Sequence, residues 1–179
     1  DRLDLAPLTT LALSLAPAAP AVDEWLTGLM PHGQLSNLQV SLDTAKVSAD
    51  RLQFAANLKD VGISAYADVP GLENVSGSIS GDLGQGALRL NTENFVLDLA
   101  EVFPQPWQYF NASALLSWTL DDRAFSLFSP YIRLDGDEGR IAGDLKISIP
   151  FAEDEYSYMD LRIGLRDGNA AFTRNYLPS

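Results

Sequence analysis

The stretch Gly139–Pro150, GRIAGDLKISIP, alternates almost without fault. Ile141, Gly143, Leu145, Ile147 and Ile149 fall on one side, and Arg140, Ala142, Asp144, Lys146 and Ser148 fall on the other. Successive side chains of a strand point to opposite faces, so residues 140–149 read as a strand about 33 Å long with one dry face and one wet face. The dry face needs a cover. It is either a second layer of the protein itself or an apolar chain from outside, such as a lipid tail.

Working upstream, DGDEG is a glycine-flanked hairpin turn that leads into this strand. Placing Leu134 opposite Ile141 sets Ile132 opposite Gly143, so the dry faces of the two strands agree. The apolar parity changes near Ser129-Pro130, which predicts a bulge or an edge there. Phe110, Ala112, Ala114, Leu116, Trp118 and Leu120 form the longest alternation in the chain, and Asp121-Asp122 turns it into a strand carrying Phe125 and Leu127. Downstream, Met159, Leu161, Ile163 and Leu165 mark a last strand after the acidic loop AEDEYS.

The same period of two runs back to Gly33. Leu38, Val40 and Leu42 alternate with polar residues, as do Leu52, Phe54, Ala56 and Leu58, and then Val75, Gly77, Ile79 and Gly81. Leu88 and Leu90 face Phe95, Leu97 and Leu99 across the polar Asn91-Thr92-Glu93-Asn94, which predicts a hairpin pairing Leu90 with Phe95. In EVFPQPWQYF, Pro104 and Pro106 forbid a central strand. The glycines within strands, in VSGSISGD and again in GRIAGDLKI, point to sheet curvature or to a close approach.

Before Gly33 the period is helical. Leu5, Leu8, Leu11, Ala12 and Leu15 recur on one face, and a second short helix is expected from Ala21 to Met30, with Asp23 and Glu24 in its first turn and Val22, Leu26 and Leu29 as its stripe. Leu5 to Val22 carries no charge, but Pro7, Pro17 and Pro20 interrupt it and Ala, Thr and Ser dilute it. An amphipathic helix explains it better than a membrane span of about 20 apolar residues. The expected fold class is therefore α+β. Two short N-terminal helices, residues 1–33, pack on a long, curved, mostly antiparallel sheet of eight or nine strands, residues 34–179, shaped as a groove or half-open sandwich.

Composition narrows the function. The chain has 179 residues, 46% of them hydrophobic and 20% charged, which is the balance of a folded domain. Twelve Lys plus Arg against 24 Asp plus Glu give a formal charge of −12, with no basic stripe for nucleic acid or for anionic head groups. There is no cysteine, so thiol catalysis, thiolate metal sites and disulfides are excluded. His32, the one histidine, sits between Pro31 and Gly33 and reads as a solvated loop residue. GSISG centres on Ile79 rather than on a serine nucleophile. DGDEG closes after five residues, too short for a twelve-residue calcium loop, and GDLGQG opens no helix that would hold a phosphate. The residues point to no catalytic centre, metal or cofactor.

Segment order carries more than any motif. LTGLMPHGQLSNLQVSL, followed by LQFAANLKDVGISAYADVPGLENVSGSISGDLGQGALRLNTENFVLDL, resembles the large AsmA-like proteins of Gram-negative bacteria, of the YhdP type and akin to TamB. YMDLRIGLRDGNAAFTRNYLPS is similar to the segment that closes such a unit, around Tyr176-Leu177-Pro178. The resemblance implies an internal piece of a protein over a thousand residues long. That parent would be anchored in the inner membrane, would cross the periplasm, and would pass phospholipid along an apolar groove made of successive repeats.

On this reading the partners are phospholipid acyl chains and neighbouring repeats of the same parent, with membrane contact only through other parts of that parent. Candidate groove residues are Phe110, Leu116, Trp118, Ile141, Leu145, Ile147, Met159, Leu161 and Ile163, some of which are expected beneath the two helices. Two other classes remain open. One is a structural or protein-interaction β-module whose edges stack on neighbours. The other is a carbohydrate-binding sandwich using Trp25, Trp107 and Trp118.

Overall fold

The computed structural model describes residues 2–7, 27–45, 48, 51–66, 69–82, 84–99, 103, 105–152 and 154–168. Nine strands make one sheet: β1 (Arg2–Asp4), β2 (His32–Leu42), β3 (Leu52–Ile63), β4 (Gly71–Asp82), β5 (Gln85–Asp98), β6 (Trp107–Leu120), β7 (Ala124–Gly136), β8 (Gly139–Pro150) and β9 (Tyr158–Arg166). Spatial order equals chain order, and every neighbouring pair is antiparallel. Helical turns at residues 5–7 and 27–29 match the two expected helices in part; residues 8–26 of that expectation lie outside the described residues. Among the described residues the sheet has no second sheet layer facing it.

Short acidic turns explain why the strands fold back where they do. In the β4–β5 turn, Asp82 Oδ1 accepts the N–H groups of Gly84 at 2.7 Å and Gln85 at 2.8 Å. In the β6–β7 turn, Asp121 Oδ1 accepts those of Arg123 at 2.8 Å and Ala124 at 2.9 Å. Each carboxylate does in the turn what a strand partner's carbonyl does in the ladder. DGDEG makes the β7–β8 turn, with Leu134 opposite Ile141 and Ile132 opposite Gly143, as the alternation predicts. The expected bulge is present in β7, where register shifts by one residue between Ser129 and Ile132.

Two expectations are overturned. Asn91–Asn94 is no hairpin loop: residues 85–98 form one unbroken strand, and Leu90 pairs with Ala114 while Phe95 pairs with Tyr109. The polar quartet looks like a turn, but only Asn94 adopts a turn-like backbone, with φ 54°, and the strand runs on through it. His32 is not a loop bystander. It opens β2 opposite Gly62, and its Nε2 lies 2.9 Å from Glu73 Oε2 of β4. Strand β1 is an addition that the sequence pattern did not announce.

The core is small and lies mid-sheet. Val75, Leu90, Phe95, Tyr109, Ala112 and Ala114 are buried together, with Leu58, Val61, Leu72, Leu97, Trp107, Ile132, Leu134 and Ile141 packed against them. Toward β9 the same face opens, with Met159 64% and Ile163 60% exposed.

Candidate functional site

Strand register builds the site. Leu3, Leu35, Leu58, Gly77, Leu90, Ala114, Ile132, Gly143 and Ile163 are successive cross-strand partners from β1 to β9. Directly paired residues share a face, so this is an unbroken apolar row across all nine strands. At strand spacings of 4.7–4.9 Å it is about 38 Å long. A second row runs across eight strands through Val40, Phe54, Gly81, Gly86, Trp118, Leu127, Ile147 and Met159. Between the two lie Ala56, Ile79, Leu88 and Leu116 on β3–β6, and Leu145 and Leu161 beside the bulge residue Ser129.

The opposite face is different chemistry. One of its rows reads Ser36, Asn57, Ser78 and Arg89, and another Asn111, Asp135, Arg140 and Arg166. Arg140 donates to Asp167 through Nε at 3.0 Å and also through Nη2. That hydrogen bond, with its charge attraction, holds the Asp167 carboxyl below the usual carboxylate range and raises the Arg140 guanidinium. Asp121 is likewise lowered, by the turn N–H groups it accepts. The apolar rows themselves carry no ionisable side chain, so they present apolar surface rather than charge.

Eight of the nine candidate groove residues fall on the apolar face. Trp118, Ile147 and Met159 belong to the eight-strand row and Ile163 to the nine-strand row. Leu116 pairs with Leu88, Leu145 with Leu161, and Ile141 with both Leu134 and Leu165. Phe110 does not join them. It is 55% exposed, while Tyr109 next to it is 2% exposed and stacks on Phe95 with ring centroids 6.4 Å apart. Burial alternation slips by one between Tyr109 and Ala112, opposite Asn94, and this places Phe110 on the other side.

The candidate groove residues left out Leu90, Leu127, Ile132 and Phe95, which the register places on this face. The signal was present in the alternation itself, interrupted by Asn94 in β5 and by the bulge at Ser129-Pro130 in β7. Trp118 also has a partner that the pattern alone does not show. Its ring covers Gly86, where a Cβ would run into it, so the glycine makes room for the indole within the row.

Among the described residues no group of three or more His, Cys, Asp or Glu is placed to hold a metal ion, and no helix is long and apolar enough to cross a membrane. Trp107, at the start of β6, packs against Phe103 with ring centroids 4.5 Å apart, within the apolar cluster rather than on an open platform for sugars.

Comparison with known proteins adds a family. The profile of the family described as YhdP protein matches residues 1–179. The chain is similar to the intermembrane phospholipid transporter YhdP of Escherichia coli (strain K12), at 24% identity over 178 residues, 99% of this chain. It spans 14% of that relative's length. No solved structure matches it.

Proposed function

The chain belongs to the YhdP protein family, and on that premise we propose that it is one segment of a longer, non-enzymatic lipid-transfer bridge, whose apolar face lines a groove for phospholipid acyl chains. The observation that carries this reading is the nine-strand row from Leu3 to Ile163. A lipid-transfer path needs apolar surface that is continuous along the direction of travel. Each methylene removed from water contributes about 0.8 kcal/mol wherever it lies along such a surface. The gain is therefore nearly constant from strand to strand, and the tails slide instead of being trapped.

The polar head groups keep to solvent at the rim, since the apolar rows offer them no ionisable side chain. The segment lies in the periplasm, within a parent anchored in the inner membrane. It adjoins neighbouring repeats of that parent, and phospholipid moves between inner and outer membranes along the joined faces. Residues 1–33, which supply β1 and the start of β2, and residues 34–179 act as one unit.

Photocrosslinking in the full-length protein in growing cells tests the proposal. A benzophenone amino acid is placed at Leu145 or Ile147 on the apolar face, and at Lys146, which pairs with Phe128 and Asp160 on the other. Phospholipid captured at 145 and 147 but not at 146 is the expected result. No phospholipid at any of the three, with the protein folded, overturns the proposal in favour of a structural β-module.

A further inference from the structure

Four consecutive strands each contain one residue other than glycine with a positive φ: Asn37 of β2 at φ 53°, Asp60 of β3 at 48°, Asn74 of β4 at 60° and Asn94 of β5 at 54°. Asn and Asp are the side-chain-bearing residues that tolerate this backbone best. Each of the four falls within a break in register: Asn37 between Ser36 and Gln39, Asp60 between Leu58 and Val61, Asn74 and Asn94 in the shift between Glu73 and Gly77.

The apolar pattern of the sequence changes parity at the same four places. Leu35 is odd and Leu38, Val40 and Leu42 are even; Leu58 is even and Val61 odd; Leu72 is even and Val75 odd; Leu90 is even and Phe95 and Leu97 odd. Three independent features, backbone angle, register and residue pattern, mark one oblique line across the sheet.

Hydrogen bonds knit that line together. Ser76 Oγ accepts the N–H of Asp60 at 3.0 Å, Asn74 Nδ2 donates to the carbonyl of Asn94 at 2.7 Å, and the Thr92 hydroxyl donates to the carbonyl of Asn74. These bonds occupy backbone groups that a bulge takes out of the ladder. The buried cluster lies across the line, with Leu90, Ala112 and Ala114 on one side and Phe95 and Tyr109 on the other. On the polar face the line shows as a depression of about 450 Å³, lined by Asp60, Asn74, Ser76, Asn91, Glu93 and Asn111 among others.

We propose that Asn37, Asp60, Asn74 and Asn94 are positioning residues that keep a single apolar face continuous across a crease in the sheet: Asn37 joins the nine-strand row to the eight-strand row in β2, and Asp60, Asn74 and Asn94 add the wall formed by Ile63, Leu72, Leu97 and Trp107 to the lipid path. A strand without the out-of-step residue presents its next apolar residues on the opposite face, because a slip of one exchanges the faces. A line of aligned bulges also bends the strands it crosses. From β3 to β5 the crease runs from strand to strand in the same sense as the apolar rows, so it is there a fold line along the path, and at β2 it steps across between the two rows. This proposal rests on the lipid-path reading, and its test separates the two.

In the full-length protein, benzophenone is placed at Leu88 before the crease, at Leu97 beyond it, and at Val96 on the far face. Capture of lipid at Leu88 and Leu97 but not at Val96 is expected. Asn74→Gly with Asn94→Gly keeps this pattern, since glycine adopts the left-handed backbone freely. Asn74→Val with Asn94→Val keeps capture at Leu88 and loses it at Leu97. Capture at Leu97 that survives the valine pair, or that the glycine pair also abolishes, overturns the proposal, as does wild-type capture at Leu88 alone.

If no position captures lipid, the lipid reading falls and the crease is judged by labelling. Single cysteines at 88, 96 and 97 in a cysteine-free background are treated with a water-soluble maleimide. Exchange of protection between 96 and 97 in the valine pair supports the crease, and unchanged protection overturns it. If the valine pair unfolds and labels at 88 as well, Asn94→Ala alone replaces it under the same criteria.

Discussion

Nε2 of His32 and Oε2 of Glu73 meet at 2.9 Å although their strands, β2 and β4, are not neighbours. They meet over Gly62 of the intervening β3, the register partner of His32, where a Cβ would run into both side chains. Both groups are about half exposed. Gly62→Ala is therefore expected to part them at a cost of under about 1 kcal/mol, because such pairs contribute little and their ends are free to move. His32 is the single histidine of the sequence. One imidazole signal reports the pair by nuclear magnetic resonance, and the urea midpoint reports the cost.

Gly86 should be less forgiving. Gly86→Val adds bulk under the Trp118 ring, within a row whose neighbours on both sides are fixed by the ladder. Overpacking of this kind costs about 1–3 kcal/mol. With Trp25 and Trp107 replaced by Phe, the emission of Trp118 is expected to shift to the red as the indole is pushed into water, and the denaturant midpoint to fall.

Thr92 tests the hydrogen bonds of the crease. It is 7% exposed, and its hydroxyl donates to the carbonyl of Asn74. Thr92→Val preserves shape and leaves that carbonyl short of a partner, at an expected cost of about 1–3 kcal/mol. Thr92→Ser, which retains the hydroxyl, should recover most of it. Equal losses in the two variants would mean that the methyl group, not the bond, matters.

Acid should loosen specific turns. The N–H groups of Arg123 and Ala124 hold the Asp121 carboxyl low, and the Arg140 hydrogen bond does the same for Asp167. A depressed folded pKa contributes stability that is complete above the unfolded value, near about pH 4, and is lost as pH falls through the folded value. Stability is therefore expected to decline below about pH 4. The double variant Asp121→Asn, Asp167→Asn should be weaker at neutral pH and flatter in acid. Urea titrations at several pH values check this, and parallel curves would refute it.

Much of the fold is legible in the sequence where strands alternate without interruption. β8, its turn and its pairing with β7 from Ile132 to Gly136 follow from Ile141 to Ile149 and from one glycine-flanked turn, because a single parity fixes both face and register there. Legibility fails at Asn94 and Asp60. A polar residue between two apolar runs of opposite parity has the composition of a turn, and only the pairing partner decides whether the chain reverses there or steps and continues. Tyr109 and Phe110 show the same difficulty in β6. Either could be the inward residue by composition, and the slip opposite Asn94 selects Tyr109.

Strand order that repeats chain order has one more consequence. Each strand packs along its length on its immediate neighbours, with longer contacts such as His32–Glu73 reaching past a single strand, so the sheet is close to one-dimensional, like a stack of repeats. Gain or loss of a hairpin leaves every other pairing intact and alters the span by about 10 Å, two strand spacings. A molecule of this build can be cut to measure. Selection for a different gap between two surfaces would act on the number of hairpins, with no need to redesign a core.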